Sequence, residues 1–281
     1  MIRIALVTIA TLLCQCAVWA GEISTIRAYV DTDLCARLMP GSITPSRIEC
    51  SQRTGKEKAE PVLVRLSNNM IFSVNKQKMI QPLVSQLAEA SGEIKAKNGT
   101  MKLQDVKAIE AASIPAGDPD RSMLSANRQT EANPQTWEKI RHELAMMPYI
   151  TEFDFISFSL SGVDVILTGW TVRTTNRDYA YNVVKNVSGV ETVTNNIEIL
   201  PLGSFDMQIR AGVRAALQKN LSRYFWGTGS DIKIIVKNGQ VVLLGVVVSK
   251  ADSDIAYMRA NSVRNAFKVI NLLRVESSTK K

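Results

Sequence analysis

The chain is poor in the residues that build most active sites. His142 is its only histidine, and four of its 281 residues are cysteine. Metal centres and nucleophilic sites need such side chains in groups, so no metal site and no Cys–His nucleophile is predicted. Gly227-Thr228-Gly229 lacks the lysine and the spacing of a phosphate-binding loop. These absences predict a protein that is not an enzyme and that carries no cofactor.

Long apolar runs are also lacking. After the first twenty residues no stretch is apolar enough to span a bilayer, which takes roughly 20 residues. At the N-terminus, Arg3 precedes the short apolar run from Ile4 to Leu13, and Val18 and Ala20 follow at signal-peptidase positions. We predict a signal peptide over residues 1–20, cleaved after Ala20, with a retained anchor helix as the alternative. The protein is therefore expected in the periplasm or outside the cell, peripheral rather than transmembrane.

Cleavage would leave two of the four cysteines. Cys35 and Cys50 form an even pair in an oxidising compartment, which predicts a disulfide between them, with two free thiols as the alternative. Cys14 and Cys16 lie in the region where a lipid could be attached. Leu13 and Gln15 precede them, however, where a small residue is expected, so lipidation is not favoured.

The positive charge is concentrated in the last part of the chain. Residues 203–281 carry 13 Lys or Arg and 5 Asp or Glu, whereas residues 134–202 carry 5 and 8. Such an asymmetry indicates an anionic partner. Nucleic acid is not expected as that partner, because the chain is predicted to be exported.

The first mature segment, residues 21–112, is rich in predicted strands. A turn-rich loop bearing Cys35 and Cys50 follows the first strand, and helical spacing predicts a helix at about 77–90. The predicted strands are Thr25–Val30, Pro61–Leu66, Met70–Val74, Glu93–Lys97 and Met101–Ile109. This element order resembles a small five-stranded OB-type barrel. Residues 113–133, with Pro115, Gly117, Pro119 and Pro134 nearby, are predicted to be a linker.

The remainder of the chain contains an internal repeat. A shift of 76 positions places Ile156–Leu200 on Ile232–Glu276 without a gap, and most pairs keep their apolar character. The identical pairs are Ile156/Ile232, Val165/Val241, Leu167/Leu243, Gly169/Gly245, Val172/Val248, Asp178/Asp254, Ala180/Ala256, Tyr181/Tyr257, Val187/Val263, Val193/Val269 and Asn195/Asn271. Each copy is predicted as helix, strand, strand, helix, strand. The later helices are predicted at Thr174–Ser188 and Lys250–Asn265, and the last strands at Thr192–Ile199 and Lys268–Val275.

This pattern resembles the BON domain of bacterial envelope proteins. The resemblance rests on V-x-L-x-G after a tight turn (Val165–Gly169 and Val241–Gly245), on Ala180 and Ala256 in the following helix, and on Val193-x-Asn195. The chain departs from the family with Ser161-Gly162-Val163 at the first turn and Arg264-Asn265-Ala266 after the last helix. The resemblance implies an α+β chain with modules at 134–202 and 203–277. It also implies binding to phospholipid membranes, or a structural role in envelope assemblies.

The second module holds the candidate binding surface. Its first helix is predicted to carry Ile209, Val213, Ala216, Leu217 and Leu221 on one apolar stripe. The candidate lipid-binding residues flank or follow that stripe: Arg210, Arg214, Lys219, Arg223, Tyr224, Phe225 and Trp226. Cations beside apolar and aromatic groups suit an anionic bilayer surface. The alternative is a helix packed on its own sheet with solvated cations.

These observations predict a non-enzymatic exported protein that binds an anionic phospholipid surface and supports envelope integrity under stress. The alternative is a protein-interaction or assembly module of an envelope complex. Liposome binding and the oligomeric state discriminate the two hypotheses.

Overall fold

The structure, a computed structural model, describes residues 23–124, 133–226 and 231–276. The predicted signal peptide and Gly227-Thr228-Gly229 lie outside the described residues. Within those ranges, no helix has both the length and the apolar character needed to cross a membrane.

The first domain is a closed barrel. Its strands are β1 (Ile23–Thr32), β2 (Pro61–Arg65), β3 (Ile71–Val74), β4 (Leu87–Lys95) and β5 (Thr100–Ile109), in the spatial order β1-β2-β3-β5-β4. The parallel pairing of β3 with β5 closes the barrel. Alternate strand residues such as Ala28, Leu63 and Phe72 fill its interior. The order of strands, with a short helix α3 (Gln77–Ile80) before β4, is that of an OB-type barrel, which confirms the predicted fold.

The helix predicted at 77–90 is wrong beyond its first turn. Helix α3 ends at Ile80, and β4 begins at Leu87. The buried residues Ala88 and Ala90 alternate with partly exposed neighbours, which is the period of a strand that lines the barrel. Helical spacing of the preceding apolar residues therefore gave a false signal.

The predicted turn-rich loop contains two helices instead, α1 (Asp33–Leu38) and α2 (Pro45–Lys56). Proline stands at the first position of α2, and the Thr44 side chain caps it by accepting a hydrogen bond from the Arg47 backbone N–H. The predicted disulfide Cys35–Cys50 is confirmed and joins α1 to α2. Residues 113–124, the first part of the predicted linker, pack back on the barrel, where Ile114 is buried and Arg27 lies 2.6 Å from Asp118.

The two repeats fold as the predicted helix–strand–strand–helix–strand modules. Module 1 consists of α4 (Pro134–Ala145), β6 (Phe155–Ser161), β7 (Asp164–Thr171), α5 (Thr174–Lys185), β8 (Thr192–Asn195) and β9 (Glu198–Ile199). Module 2 consists of α6 (Ser204–Leu221), β10 (Ile232–Lys237), β11 (Gln240–Val247), α7 (Lys250–Asn261), β12 (Lys268–Asn271) and β13 (Arg274–Val275). In both sheets the central strand pairs antiparallel with the first strand and parallel with the last.

The last strand of each module is interrupted, whereas the sequence predicts it as continuous. Asn195 and Asn271 occupy equivalent positions, and each turns the chain by accepting a hydrogen bond from the backbone N–H two residues later. The Nδ2 atom of each asparagine also donates to the helix, at Arg177 O in module 1 and at Ser253 O in module 2. The repeated asparagine is therefore a structural residue. Helices α5 and α7 end three and four residues earlier than predicted.

The sheet faces turned away from the module helices are buried between the domains. Leu34 from α1, Trp170 from β7 and Ile235, Val242 and Leu244 from module 2 form one apolar cluster. The backbone N–H of Ile234 donates to Glu152 O at 2.7 Å, so module 1 also covers part of the outer edge of β10. Module helices thus cover one face of these sheets, and neighbouring domains cover the other at this junction.

A group of charged side chains joins all three domains. Lys237 Nζ of module 2 lies 3.2 Å from Asp33 and 2.9 Å from Glu60, both in the barrel domain, and 2.9 Å from Glu198 of module 1. Arg37 of α1 pairs with Asp33 at 2.7 Å and with Glu198 at 3.1 Å. These five residues are called the junction ion cluster below.

Candidate functional site

The predicted apolar stripe of α6 is part of the core. Ile209, Val213, Leu217 and Leu221 are buried and pack against β10, β11 and α7. The alternative interpretation of the stripe, a helix packed on its own sheet, is therefore the one that the structure supports. The membrane cannot reach this side of the helix.

Arg210 does not face solvent, in contrast to its predicted role. Only 3% of the residue is exposed, and its guanidinium donates to Pro201 O at 2.9 Å and to Val236 O at 2.7 Å. Burial lowers the pKa of this guanidinium, although the carboxylates of Asp206 and Asp154 oppose the effect. Arg210 fastens α6 to the segment between β9 and α6 and to β10, so its guanidinium is used within the protein.

Tyr224 and Phe225 also belong to the interior rather than to the surface. Tyr224 is buried, its hydroxyl donates to Asp252 at 2.9 Å, and it accepts the Val248 N–H at 2.9 Å. Phe225 is half-buried against the core of module 2. The prediction that Tyr224 contacts lipid is wrong, because its hydroxyl and ring are both used within the module.

The remaining predicted residues are on the surface. Arg214 pairs with Glu152 of module 1, and Arg223 pairs with Asp252 while lying 4.9 Å from the centre of the Tyr224 ring. Lys219 is exposed, and Trp226 is 74% exposed just beyond the C-terminal end of α6. Of the predicted residues, Arg214 and Lys219 thus remain exposed on α6, and Arg223 and Trp226 remain exposed in the segment that follows it.

A second apolar surface lies on the outer side of α6. Met207, Ala211 and Ala215 are spaced four residues apart and line a groove with a volume of about 320 Å³. Leu202, in the segment between β9 and α6, and Phe153 of module 1 form its other wall. Leu202 and Met207 are 61% and 51% exposed, and Arg214 and Gln218 stand at the groove toward the C-terminal end. We call these lining residues the α6 groove.

The sequence contains a signal for this groove. Met207, Ala211 and Ala215 share a helix face by their spacing, but this face is less apolar than the opposite stripe, which dominates the pattern. The sequence does not show the other wall of the groove, because Leu202 and Phe153 come from other parts of the chain.

Other exposed apolar residues of module 2 lie at the end of its central strand. Val246 in β11, Val248 just after it and Val275 in β13 are each between 38% and 56% exposed. Pairing of β11 with β13 places Arg274 beside Val246, and the Val248 N–H bond to Tyr224 brings this strand end close to Arg223. This end of module 2, called the module 2 tip, combines apolar side chains with cations.

The described residues show no arrangement typical of catalysis. His142 makes no contact with a carboxylate or a thiol in these ranges, and they hold no group of three His, Cys, Asp or Glu residues placed to bind a metal. Asp252 accepts hydrogen bonds from the Ser249 hydroxyl and from Tyr224 at the start of α7, so it acts as a structural carboxylate.

Comparison with known proteins points to one family. The model of the BON domain family matches residues 135–201 and 205–277. Two solved structures of CdsD, described as a structural protein of the type III secretion system of Chlamydia trachomatis, are similar at 12% identity with a TM-score of 0.20. One is the C-terminal domain, and the alignment covers 51% of this chain and 98% of that chain; for the other the shares are 50% and 92%. At a TM-score this low, the similarity supports no conclusion about the fold or function of this chain. None of the curated proteins matches the chain.

Proposed function

The chain is a tandem BON-domain protein, and on that premise we propose that it binds anionic phospholipid membranes through the outer side of its second module. BON domains are a non-catalytic family associated with membranes and the cell envelope. We propose accordingly that the protein is not an enzyme, that it is exported, and that it supports envelope integrity. A buried disulfide is typical of a protein from an oxidising compartment.

The α6 groove is the observation that carries the proposal. Its lining exposes Met207 and Leu202, which could bury apolar area against acyl chains at about 25 cal/mol per Å². Arg214 and Lys219 lie along the same helix, where they could meet phosphate groups. This is the arrangement of an interfacial helix, with an apolar face entering the headgroup zone and cations beside it.

The module 2 tip supports the same orientation. Trp226 is among the most exposed large side chains of the described residues, and tryptophan prefers the interface between headgroups and acyl chains. The basic excess of residues 203–281 adds a longer-range attraction to an anionic surface, which weakens as salt screens it. Arg214 and Arg223 each have a carboxylate neighbour, so Lys219 is the cation of α6 with the fewest competing contacts among the described residues.

Vesicle co-sedimentation tests the proposal. The chain without residues 1–20 should bind vesicles of phosphatidylglycerol and phosphatidylethanolamine, and bind vesicles of phosphatidylcholine at least about tenfold more weakly. High salt should reduce binding to the anionic vesicles. Equal binding to both vesicles, or no effect of salt, would contradict the electrostatic part of the proposal.

Matched variants locate the surface. Met207→Asp places a charge in the α6 groove and should weaken binding about tenfold, whereas Met258→Asp on the exposed side of α7 should not. Lys219→Glu should weaken binding, whereas Lys139→Glu on α4 of the acidic module should not. If the members of each pair have the same effect, the membrane does not contact the outer side of α6. A stable oligomer in light scattering without vesicle binding would instead support an assembly role.

A further inference from the structure

A polar cleft lies between the barrel and module 1. It has a volume of about 780 Å³. The barrel contributes β3 and the loop of residues 96–99, and module 1 contributes α5 and the segment that joins β8 to β9. Ligand pockets typically enclose about 300–1,000 Å³, so the cleft is large enough for an oligomeric small ligand. It shares no lining residue with the α6 groove.

The charges of this cleft are already compensated within the protein. Arg37 is bound by Asp33 and Glu198, and Arg177 lies 3.0 Å from Asp178. A phosphate-rich ligand such as a nucleic acid needs an excess of cations that are available to it. The cleft does not offer that excess, so it favours a ligand without net charge.

Several uncharged polar side chains of the cleft are available for hydrogen bonding. Within the described residues, the side chains of Ser73, Tyr181 and Asn182 make no hydrogen bond to another part of the chain. The Lys185 ammonium lies 5.8 Å from the centre of the Tyr181 ring and leaves the Tyr181 hydroxyl without a hydrogen bond among the described residues. Asn196, by contrast, uses both ends of its amide, accepting from Ile71 N–H and donating to Asn69 O. The cleft therefore presents hydroxyl and amide groups that can both donate and accept, beside the ring of Tyr181.

We propose that this cleft binds a neutral oligosaccharide. Hydroxyl and acetamido groups of a sugar offer donors and acceptors in the proportions that Ser73, Tyr181 and Asn182 can pair with. The position agrees with the fold, because OB-type barrels bind oligosaccharides and oligonucleotides beside strands 2 and 3 and the loops that join strands 1–2 and 4–5. Here those loops contribute Arg37 and Asn98 to the cleft. Because the charged side chains of the cleft are paired with each other, a neutral sugar fits it better than a nucleotide does. Module 1 supplies the opposite wall, which a barrel alone would lack.

Calorimetric titration tests the proposal with a tetramer of β-1,4-linked N-acetylglucosamine as the probe. The chain without residues 1–20 should bind it saturably, with an affinity that does not change with salt, because no charge pairing is involved. Tyr181→Ala and Asn182→Ala should each weaken binding about tenfold. Absence of saturable binding to the unmodified chain would overturn the proposal, as would tighter binding of an acidic oligosaccharide of the same length.

One residue of α5 and the residue that caps its C-terminus serve as controls. Tyr179→Ala and Asn186→Ala change exposed side chains of the α5 region that do not line the cleft, and they should leave the affinity within about twofold. Equal losses in all four variants would place the sugar elsewhere on module 1 and contradict the cleft. Vesicle binding should be the same in all four, so a failure of this proposal is distinguishable from a failure of the lipid proposal.

Discussion

At the scale of single residues, the glycine of V-x-L-x-G is required for the same reason in both modules. Gly169 and Gly245 have φ angles of +117° and +120°. A Cβ at Gly169 would lie 2.0 Å from Phe155 O, and one at Gly245 would lie 1.8 Å from Asp231 O. The close approach comes from the backbone of the neighbouring strand rather than from the packed helix. The glycine is therefore needed for the fold and not for binding.

Gly245→Ala is expected to destabilise module 2 by about 3 kcal/mol, because the new methyl group collides with backbone and the φ angle disfavours any L side chain. The change should appear as a lower urea midpoint in far-ultraviolet circular dichroism. Gly203→Ala is the control, since a Cβ there has nothing within 4 Å. A stable Gly245→Ala protein would show that the strands can separate locally at little cost.

At the scale of elements, α6 shows why one strong pattern can hide another. Its buried stripe of larger aliphatic residues dominates the periodicity, and the weaker stripe of the α6 groove faces outward. The N-terminal domain shows the same limit. Helical spacing before β4 predicted a helix, while the cysteine-bearing segment with its prolines hid α1 and α2. Periodicity identifies elements well only where a single face is apolar.

The disulfide between α1 and α2 should stabilise the barrel domain. It closes a loop with a sequence separation of 15, which corresponds to about 3 kcal/mol in the chain-entropy account. The variant with both Cys35→Ala and Cys50→Ala should have an unfolding free energy about 3 kcal/mol lower. This loss should appear as a lower midpoint in urea. Treatment with a reducing agent should shift the midpoint of the unmodified chain similarly and leave that of the double variant unchanged. A midpoint unaffected by reduction would contradict this role.

At the scale of the whole molecule, contacts between distant parts of the chain decide how the domains fit together. The modules, their order and the barrel could be predicted from repeats, spacing and element order. The junction ion cluster could not, because Lys237 and Asp33 are 204 residues apart and neither belongs to a recognisable motif. The two cavities have walls from separate domains, so the sequence could suggest some of their residues but not the sites.

The junction ion cluster should make stability depend on pH. Burial would raise the pKa of Asp33, but the Arg37 and Lys237 cations outweigh that effect and hold it below its usual value. Burial would likewise lower the pKa of Lys237. Three carboxylates outweigh the effect of burial and raise the pKa of Lys237 above its usual value: Asp33, Glu198 and Glu60. A carboxyl with a depressed pKa adds stability above its unfolded pKa of about 4, and this stability is lost as the pH falls through the lower folded value.

Asp33→Asn should therefore lower stability at neutral pH by about 3–5 kcal/mol, since it leaves buried cations without their carboxylate. The difference between the variant and the unmodified chain should begin to shrink below about pH 4, where Asp33 of the unfolded chain becomes protonated, and should disappear as the pH falls through the lower folded pKa. Thermal unfolding followed from pH 3 to pH 8 measures both effects. Asp254→Asn, which removes an exposed carboxylate from α7, should change little across this range. A difference that stays constant with pH would contradict the role of the cluster.

The covered sheet face of module 2 has a practical consequence for dissecting this protein. If residues 203–281 are produced alone, Ile235, Val242 and Leu244 lose Trp170 and Leu34 and become solvent-exposed. Such a fragment would adhere to vesicles of any composition and would associate with itself, for reasons unrelated to its role in the intact chain. Duplication has thus produced two halves that no longer behave as interchangeable parts, and their properties have to be measured while they remain together.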